Sequence, residues 1–429
     1  MKMTPDNSAW RSMSIGDLCV RITSGGTPLR SNRSYYDGGT IPWVKTGELK
    51  DWYIGDTEEK ITAAAIEHSS AKLFPKDTIL MAMYGDGRTI TSLGILSCEA
   101  ASNQACCALI VNDEVCKPFF LFYSLMQHRH SLLKLAYGGA QRNLNAKTIR
   151  SFEIPVPPLA EQALTESILS AYDYLIENNT RRIKILEQMA QMLYREWFVN
   201  FRFPGHEYVK MVESEMGLIP EGWEAKRMDE VAEVIDCLHT KKPEHEENGT
   251  GLLLQLFNIG ENGKIDLSKK YLVNEEVYKL WTSRIEACAG DCVITNVGRI
   301  AAVGQIPVGT KAALGRNMTG IRPKRISPTF LIEYLLSPTM ADEVAKKKDA
   351  GAIMDSLNVK GIVRLSVPVP PAKMMNEFEL RTRPIRRQVE VLVQKNQNLR
   401  TTRDLLLPKL VTGEVSVETL EGEALVETV

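Results

Sequence analysis

The sequence predicts an α+β fold built twice. Two similar globular domains, each on a curved and mostly antiparallel sheet, are separated by two long antiparallel helices with a coiled-coil seam. The whole forms a pseudo-two-fold internal repeat. Three observations predict this. Motifs recur about 213 residues apart, each copy runs through short strands into a helical stretch, and a heptad pattern follows each copy. The expected divisions are a first domain at 1–158, a central helix at 159–202, a second domain at 203–371, a distal helix at 372–413 and a tail at 414–429.

The repeat comes first. Trp10 and Trp223 each open a copy, 213 residues apart. Ile154-Pro155-Val156-Pro157-Pro158 returns as Val367-Pro368-Val369-Pro370-Pro371, and Leu144-Asn145 with Ile149 as Leu357-Asn358 with Ile362, all at that offset. Lys76-Asp77-Thr78-Ile79-Leu80 resembles Gly290-Asp291-Cys292-Val293-Ile294, and Asn103 resembles Asn317, both at 214. Identities are otherwise sparse, so the copies should share a fold and differ in surface chemistry. Runs such as IPWVKTGEL, DTILMAMYGDG and ACCALIV in the first half, and GLLLQLFNIG and DCVITNVGRIAAVGQI in the second, are broken by Gly, Pro, Asn and Asp and read as strands with turns. Helical stretches follow, PFFLFYSLMQHRHSLLKLA and PTFLIEYLLSPTMADEVAKKK.

After each Pro-Pro the period becomes helical. Tyr172, Ile176, Asn179, Ile183, Leu186, Ala190, Leu193 and Trp197 alternate steps of four and three. The same positions 213 later are Ile385, Val389, Leu392, Asn396, Leu399, Arg403, Leu406 and Leu410. Arg403 interrupts this second seam, and Pro384 and Pro408 should kink or end its helix. The first helix, 160–200, would span about 60 Å at ~1.5 Å per residue. An apolar seam needs a partner, and the economical one is the other helix, run antiparallel. Asn179 and Asn396 are the uncharged polar residues of the two seams, and facing each other they would fix the register at some cost in stability. The alternative is that each helix packs only on its own domain.

The chain has 429 residues, 44% hydrophobic and 24% charged, and so is folded and multidomain. No apolar run approaches a membrane span, and MKMTPDNSAW lacks the apolar core of a signal peptide, which points to the cytoplasm. Eight cysteines form no CxxC pair. Cys237 with His239, and Cys288 with Cys292, come nearest to a metal pattern, and the plainer reading is reduced buried thiols. No metal or cofactor is expected. The net charge of −1 means that nucleic-acid binding would need a local basic face and partners sharing the phosphates.

Two similar readers related by a pseudo-two-fold axis would suit two DNA half-sites in opposite orientation with an unread spacer. A family resemblance agrees. SGGTP at 24–28, IPWVKTGEL at 41–49, SNQA at 102–105 and GGAQRNLNAKTIRSFEIPVPPLAEQ at 138–162 resemble the first half of type I restriction–modification specificity subunits. LYREWFVNFRFPG at 193–205 and LLLPKLVTGEV at 405–415 resemble that family's inter-domain and closing segments. The second copy departs from the pattern, with VPVPPAKMM lacking Glu-Gln and GAIMDSLN replacing GAQRNLN. The resemblance implies two target recognition domains reading a bipartite DNA site. It also implies two modification subunits docked on the helices and carrying S-adenosylmethionine, and restriction subunits completing the nuclease.

Candidate DNA contacts lie in loops beside strand ends, where Arg suits guanine and Asn or Gln suits adenine. They are Lys45, Thr46, Arg88, Asn103, Gln141, Arg142 and Asn143 in the first half. In the second they are Lys241, Lys242, Arg299, Arg316 and Asn317. Each is otherwise a solvated or turn-forming loop residue. Lys346-Lys347-Lys348 reads as a solvated helix face. Arg381, Arg383, Arg386 and Arg387 suit DNA phosphates or a partner's acids. An enzyme is disfavoured: there is no P-loop and no Asn/Asp-Pro-Pro-aromatic motif, and Glu58-Glu59-Lys60 and Glu224-Ala225-Lys226 are common tripeptides. A two-domain protein-binding adaptor is the other alternative.

Overall fold

The computed structural model describes residues 10–85, 89–136, 142–348 and 356–415. Four helices matter most: α1 (Pro118–Gln127), α2 (Leu159–Tyr194), α3 (Pro328–Leu335) and α4 (Ala372–Val411). The chain forms two compact units, one from Met1–Glu177 with Asn398–Val429, the other from Asn178–Gln397.

In the first unit, Arg11–Ser14 pairs antiparallel with Glu153–Val156, so the strand that opens the domain lies against the one that closes it. Between them runs a five-stranded sheet ordered Cys19–Ser24, Cys106–Val111, Ile79–Ala82, Leu93–Leu96, Trp52–Ile54, antiparallel except for the last pair. Side chains alternate across a strand. Ile79, Met81, Cys107 and Leu109 therefore face α1, with Phe120 and Phe122, in one core, while Leu80, Ala82, Cys106 and Ala108 pack with Val44, Ile54 and Phe74 in another. Both faces are covered, which is why TILMAM and ACCALIV are continuous apolar runs. Leu169 of α2 and Leu407, Leu410 and Val411 of α4 complete the first core.

The second unit repeats this frame. Glu224–Arg227 pairs with Ser366–Val369, and Glu224 opposes Val369 as Arg11 opposes Val156, 213 residues earlier. A four-stranded antiparallel sheet is ordered Ala232–Asp236, Met318–Pro323, Cys292–Thr295, Val303–Gln305. Its core holds Phe330 of α3 and Phe378 of α4, with Phe198 4.9 and 4.8 Å from their rings. Past Tyr194 the first long helix widens into a π-helical turn, Arg195–Val199, that buries both Trp197 and Phe198.

The repeated Leu-Asn has a structural cause. Leu144 and Leu357 are buried, and their N–H groups donate to the carbonyls of Met83 and Asn296, both at 2.9 Å. Asn145 and Asn358 then cap short helices, accepting from Thr148 and Gly361 N–H at 2.8 Å. Two sequence pairings are corrected. The counterpart of Asp77 is Gly290 and not Asp291, since Asp77 and Gly290 share a left-handed backbone, φ +64° and +91°. The counterpart of Asn103 is Gly315 and not Asn317, because their N–H groups donate to Val44 and Leu254 at the ends of equivalent strands.

The long helices bury Leu169, Asp173, Ile176, Asn179, Ile183, Glu187, Ala190 and Tyr194 on α2, and Phe378, Thr382, Arg386, Val389, Leu392, Asn396, Leu407 and Leu410 on α4. The expected seam residues Tyr172, Leu186, Leu193, Ile385 and Leu406 are only half-buried, and each yields to its C-terminal neighbour. Leu399 and Arg403 are half-buried on the seam. Inside the second unit, Asn179 Nδ2 donates to Asn396 Oδ1 at 2.9 Å, and Ile183 packs on Val389 and Leu392, so the two segments run antiparallel. Pro384 and Pro408 do not end α4. The carbonyls they free belong to Leu380 and Asp404, which are exposed and within reach of water. The helix stops at Val411, two residues before Gly413, whose φ of +74° places it beside the Trp10 ring.

Candidate nucleic-acid interface

Each unit places one rim at the end of a parallel strand pair. In the first, Ala100–Ser102 runs parallel to Ile41–Val44, and Asn103 N–H donates to Val44 at 3.0 Å. This brings Asn103 beside the Lys45–Thr46 turn. Gly26 N–H donates to Ser102 at 2.8 Å, and a Cβ on Gly25 would lie 2.2 Å from the Ser102 carbonyl. The glycines of SGGTP are thus required by close backbone approach. They deliver Thr27, whose hydroxyl meets Gln104. Lys45 is not a free cation. Its ammonium lies 2.9 Å from Glu58 and 3.7 Å from Glu59, and the Glu58 hydrogen bond holds its pKa above the ordinary lysine value. Arg30 sits 4.8 and 4.9 Å from the Tyr36 and Trp43 rings and pairs with Glu59 at 2.8 Å.

The second rim starts from the same backbone. Ala313–Leu314 is parallel to Gly251–Leu254, and Gly315 N–H donates to Leu254 at 2.9 Å. Its chemistry differs. A cleft of about 350 Å³ is lined by Lys242, Gln255, Phe257, Trp281, Arg316 and Asn317. Lys242 lies 4.2 Å from the Tyr271 ring. Lys241 and Arg316 are exposed and make no ion pair among the described residues. Asn317, at φ +64°, also borders a neighbouring cleft of about 460 Å³ with Asn296, Asn358 and Lys360. The structure therefore brings Lys242, Arg316 and Asn317 together.

Other candidates are more dispersed. Arg142–Asn143 pairs antiparallel with Tyr84–Gly85, uniting the ends of two predicted loops. Arg88 and Gln141 lie outside the described residues. Arg299 donates to the Ile259 and Gly260 carbonyls at 2.7 and 3.2 Å, so its guanidinium braces the fold. Arg386 is buried and its guanidinium is paired with Glu333 inside the fold. Sequence reasoning missed Gln255, Phe257, Trp281 and Lys360. Phe257 is 53% exposed but sits in GLLLQLFN, an apolar run that reads as uniformly buried strand.

Neither nuclease-like tripeptide forms a bare acidic site. Glu58 and Glu59 engage Lys45 and Arg30, and Glu224 pairs with Lys226 at 3.3 Å. Among the described residues, Asp236, Cys237 and His239 place ligand-type atoms within 4.8 Å of one another. Arg284 lies 3.7 Å from the Asp236 carboxylate, and burial pushes the Cys237 thiol pKa up, so cation and proton both compete with a metal.

Residues 7–188 match the model of the type I restriction modification DNA specificity domain. The chain is 26% identical over 420 residues to the type I restriction enzyme MjaIX specificity subunit of Methanocaldococcus jannaschii, covering 96% of this chain and 94% of that protein. It is 27% identical over 188 residues to the EcoR124I/EcoR124II specificity subunit of Escherichia coli, covering 42% of this chain and 46% of that one. The crystal structure of the S subunit of a type I restriction–modification system from M. genitalium shares the fold, with a TM-score of 0.62 at 14% identity over 96% of this chain and 98% of that one.

Proposed function

We propose that this chain, a member of the type I restriction–modification DNA specificity family, reads a bipartite DNA target, one half with each globular domain, 1–158 and 203–371. One observation carries the reading: the same strand-end backbone is presented twice with different side chains. Lys45, Thr46 and Asn103 stand on the first rim, and Gln255, Arg316 and Asn317 on the second. Equivalent placement with unlike donors and acceptors suits two unlike half-sites. Phosphate contacts are assigned to Lys241 and Lys242. Arg142 and Asn143 are assigned to the first half-site, with Arg88 and Gln141 from the same loops. Arg299 contributes through the loop it braces.

The chain itself is non-catalytic and needs no cofactor. Methyl transfer from S-adenosylmethionine is assigned to two modification subunits seated on the helices, and cleavage to restriction subunits. The place of action is the cytoplasm. Among the described residues no helix is long and apolar enough to cross a membrane.

The test is footprinting and methylation on a random DNA library, with this chain alone and with its modification subunit. A split site with two unlike halves is expected. Arg316→Ala should relax preference at one base of one half only, by about 5- to 150-fold, the equivalent of ~1–3 kcal/mol. If no sequence preference appears even with the partner present, the reading fails and a protein-binding adaptor replaces it.

A further inference from the structure

We infer that each globular domain is keyed to its own helix by a buried polar pair, and that the two keys have opposite polarity, so that neither domain fits the other's place. The pairs occupy equivalent positions. Tyr123 and Glu333 are each the sixth residue of helices that begin with proline, α1 and α3. Asp173 and Arg386 each lie 17 residues beyond the last residue of the closing strand, Val156 and Val369. In the first unit Tyr123 Oη donates to Asp173 at 2.8 Å, and Arg403 of α4 pairs with the other carboxylate oxygen. In the second unit Arg386 Nε donates to Glu333 at 2.6 Å, and its Nη2 lies 2.5 Å from the same oxygen. All four keyed residues are buried.

Neighbouring contacts distinguish the keys further. Arg386 also donates to the Asn262 carbonyl at 3.3 Å, and Asn262 and Lys264 reach Glu187 of α2 at 2.9 Å. The corresponding region of the first unit meets its helix through rings instead, Trp52 and Tyr53 lying 5.3 and 5.8 Å from Tyr174. Exchanging the domains would set Glu333 over Asp173, two carboxylates sharing the one guanidinium of Arg403. It would also set the neutral Tyr123 over Arg386, leaving a buried cation without a counter-charge. This inference rests on the fold and is independent of what the domains read.

The experiment is hydrogen exchange by mass spectrometry on the full chain. Arg386→Asp should speed exchange across α3 at least tenfold and leave α1 unchanged. Adding Glu333→Tyr, which sets a Tyr–Asp pair at the second place without the cation that Arg403 supplies at the first, should recover part of that protection. Conversely Tyr123→Glu should loosen α1, and Asp173→Arg should restore it. A chain with 10–158 and 203–371 exchanged should be poorly soluble and improve with the helix changes Asp173→Arg and Arg386→Asp together. The idea is overturned if Arg386→Asp leaves α3 protected, if the double variant exchanges as fast as the single or is insoluble, or if the exchanged chain is as stable without the helix changes as with them.

Discussion

The junctions between domain and helix differ between the two units, and the repeat has diverged there without losing its shape. In the first, Lys117 starts α1 with no side-chain cap, and Gln162 of α2 accepts its N–H at 2.8 Å while donating to Pro157 and Val115. In the second, Ser327 caps α3 itself, accepting from Phe330 N–H at 3.2 Å. The residue equivalent to Gln162 is then free to be Met375, buried with its sulfur 3.7 Å from that serine. The missing Glu-Gln of VPVPPAKMM is therefore a transferred duty. Substitutions that look independent along the chain are coupled across it.

The largest effect is expected at Arg386. Arg386→Leu leaves Glu333 buried without its counter-charge and should cost the second unit about 3–5 kcal/mol, read by urea unfolding, while Tyr123→Phe costs the first only ~1 kcal/mol. The loss should depend on pH. Burial raises Glu333 above its ordinary 4.5 and Arg386 pulls it back. A carboxyl with a raised folded pKa stabilises below the ordinary value and loses that contribution as pH rises through the folded one. The Arg386→Leu chain should therefore weaken more steeply above pH 4.5 than the parent, and Glu333→Gln should flatten the slope. Gln162→Ala should destabilise the first unit by ~1–3 kcal/mol, whereas Met375→Leu should cost under ~1.5 kcal/mol. Asn179→Ala removes the buried hydrogen bond that Asn396 Oδ1 accepts and should cost ~1–3 kcal/mol. Replacing both by Leu should restore stability and loosen the register, visible as crosslinking of Cys at 183 to Cys at more than one position of α4. The smallest effect is at Lys241. Lys241→Ala should weaken DNA binding evenly across sequences and lower the salt slope by about one.

The repeat, the element order and the Asn pair were legible because they follow from period and offset alone. The seam's rotation was not. Sequence reasoning favours Tyr172 and Leu186 over Asp173 and Glu187, since carboxylates are rarely buried without partners. Their partners, Tyr123 with Arg403 and Lys264 with Asn262, lie 50 or more residues away and cannot be paired from the chain. The rims were half legible. Glycines marked where backbones approach, and Arg316 and Asn317 stood out as polar residues between strands. Phe257 and Trp281 did not, because an aromatic in an apolar run carries no sign of which way it points.

The paired opening and closing strands, Arg11–Ser14 with Glu153–Val156 and Glu224–Arg227 with Ser366–Val369, make each domain a parenthesis in the chain. Entry and exit sit side by side, about 4.5–5.5 Å apart across the ladder. Residues added to or taken from the interior leave that gap unchanged. The heptads that follow keep their phase, and the length of reader between the brackets is uncoupled from the ruler outside them.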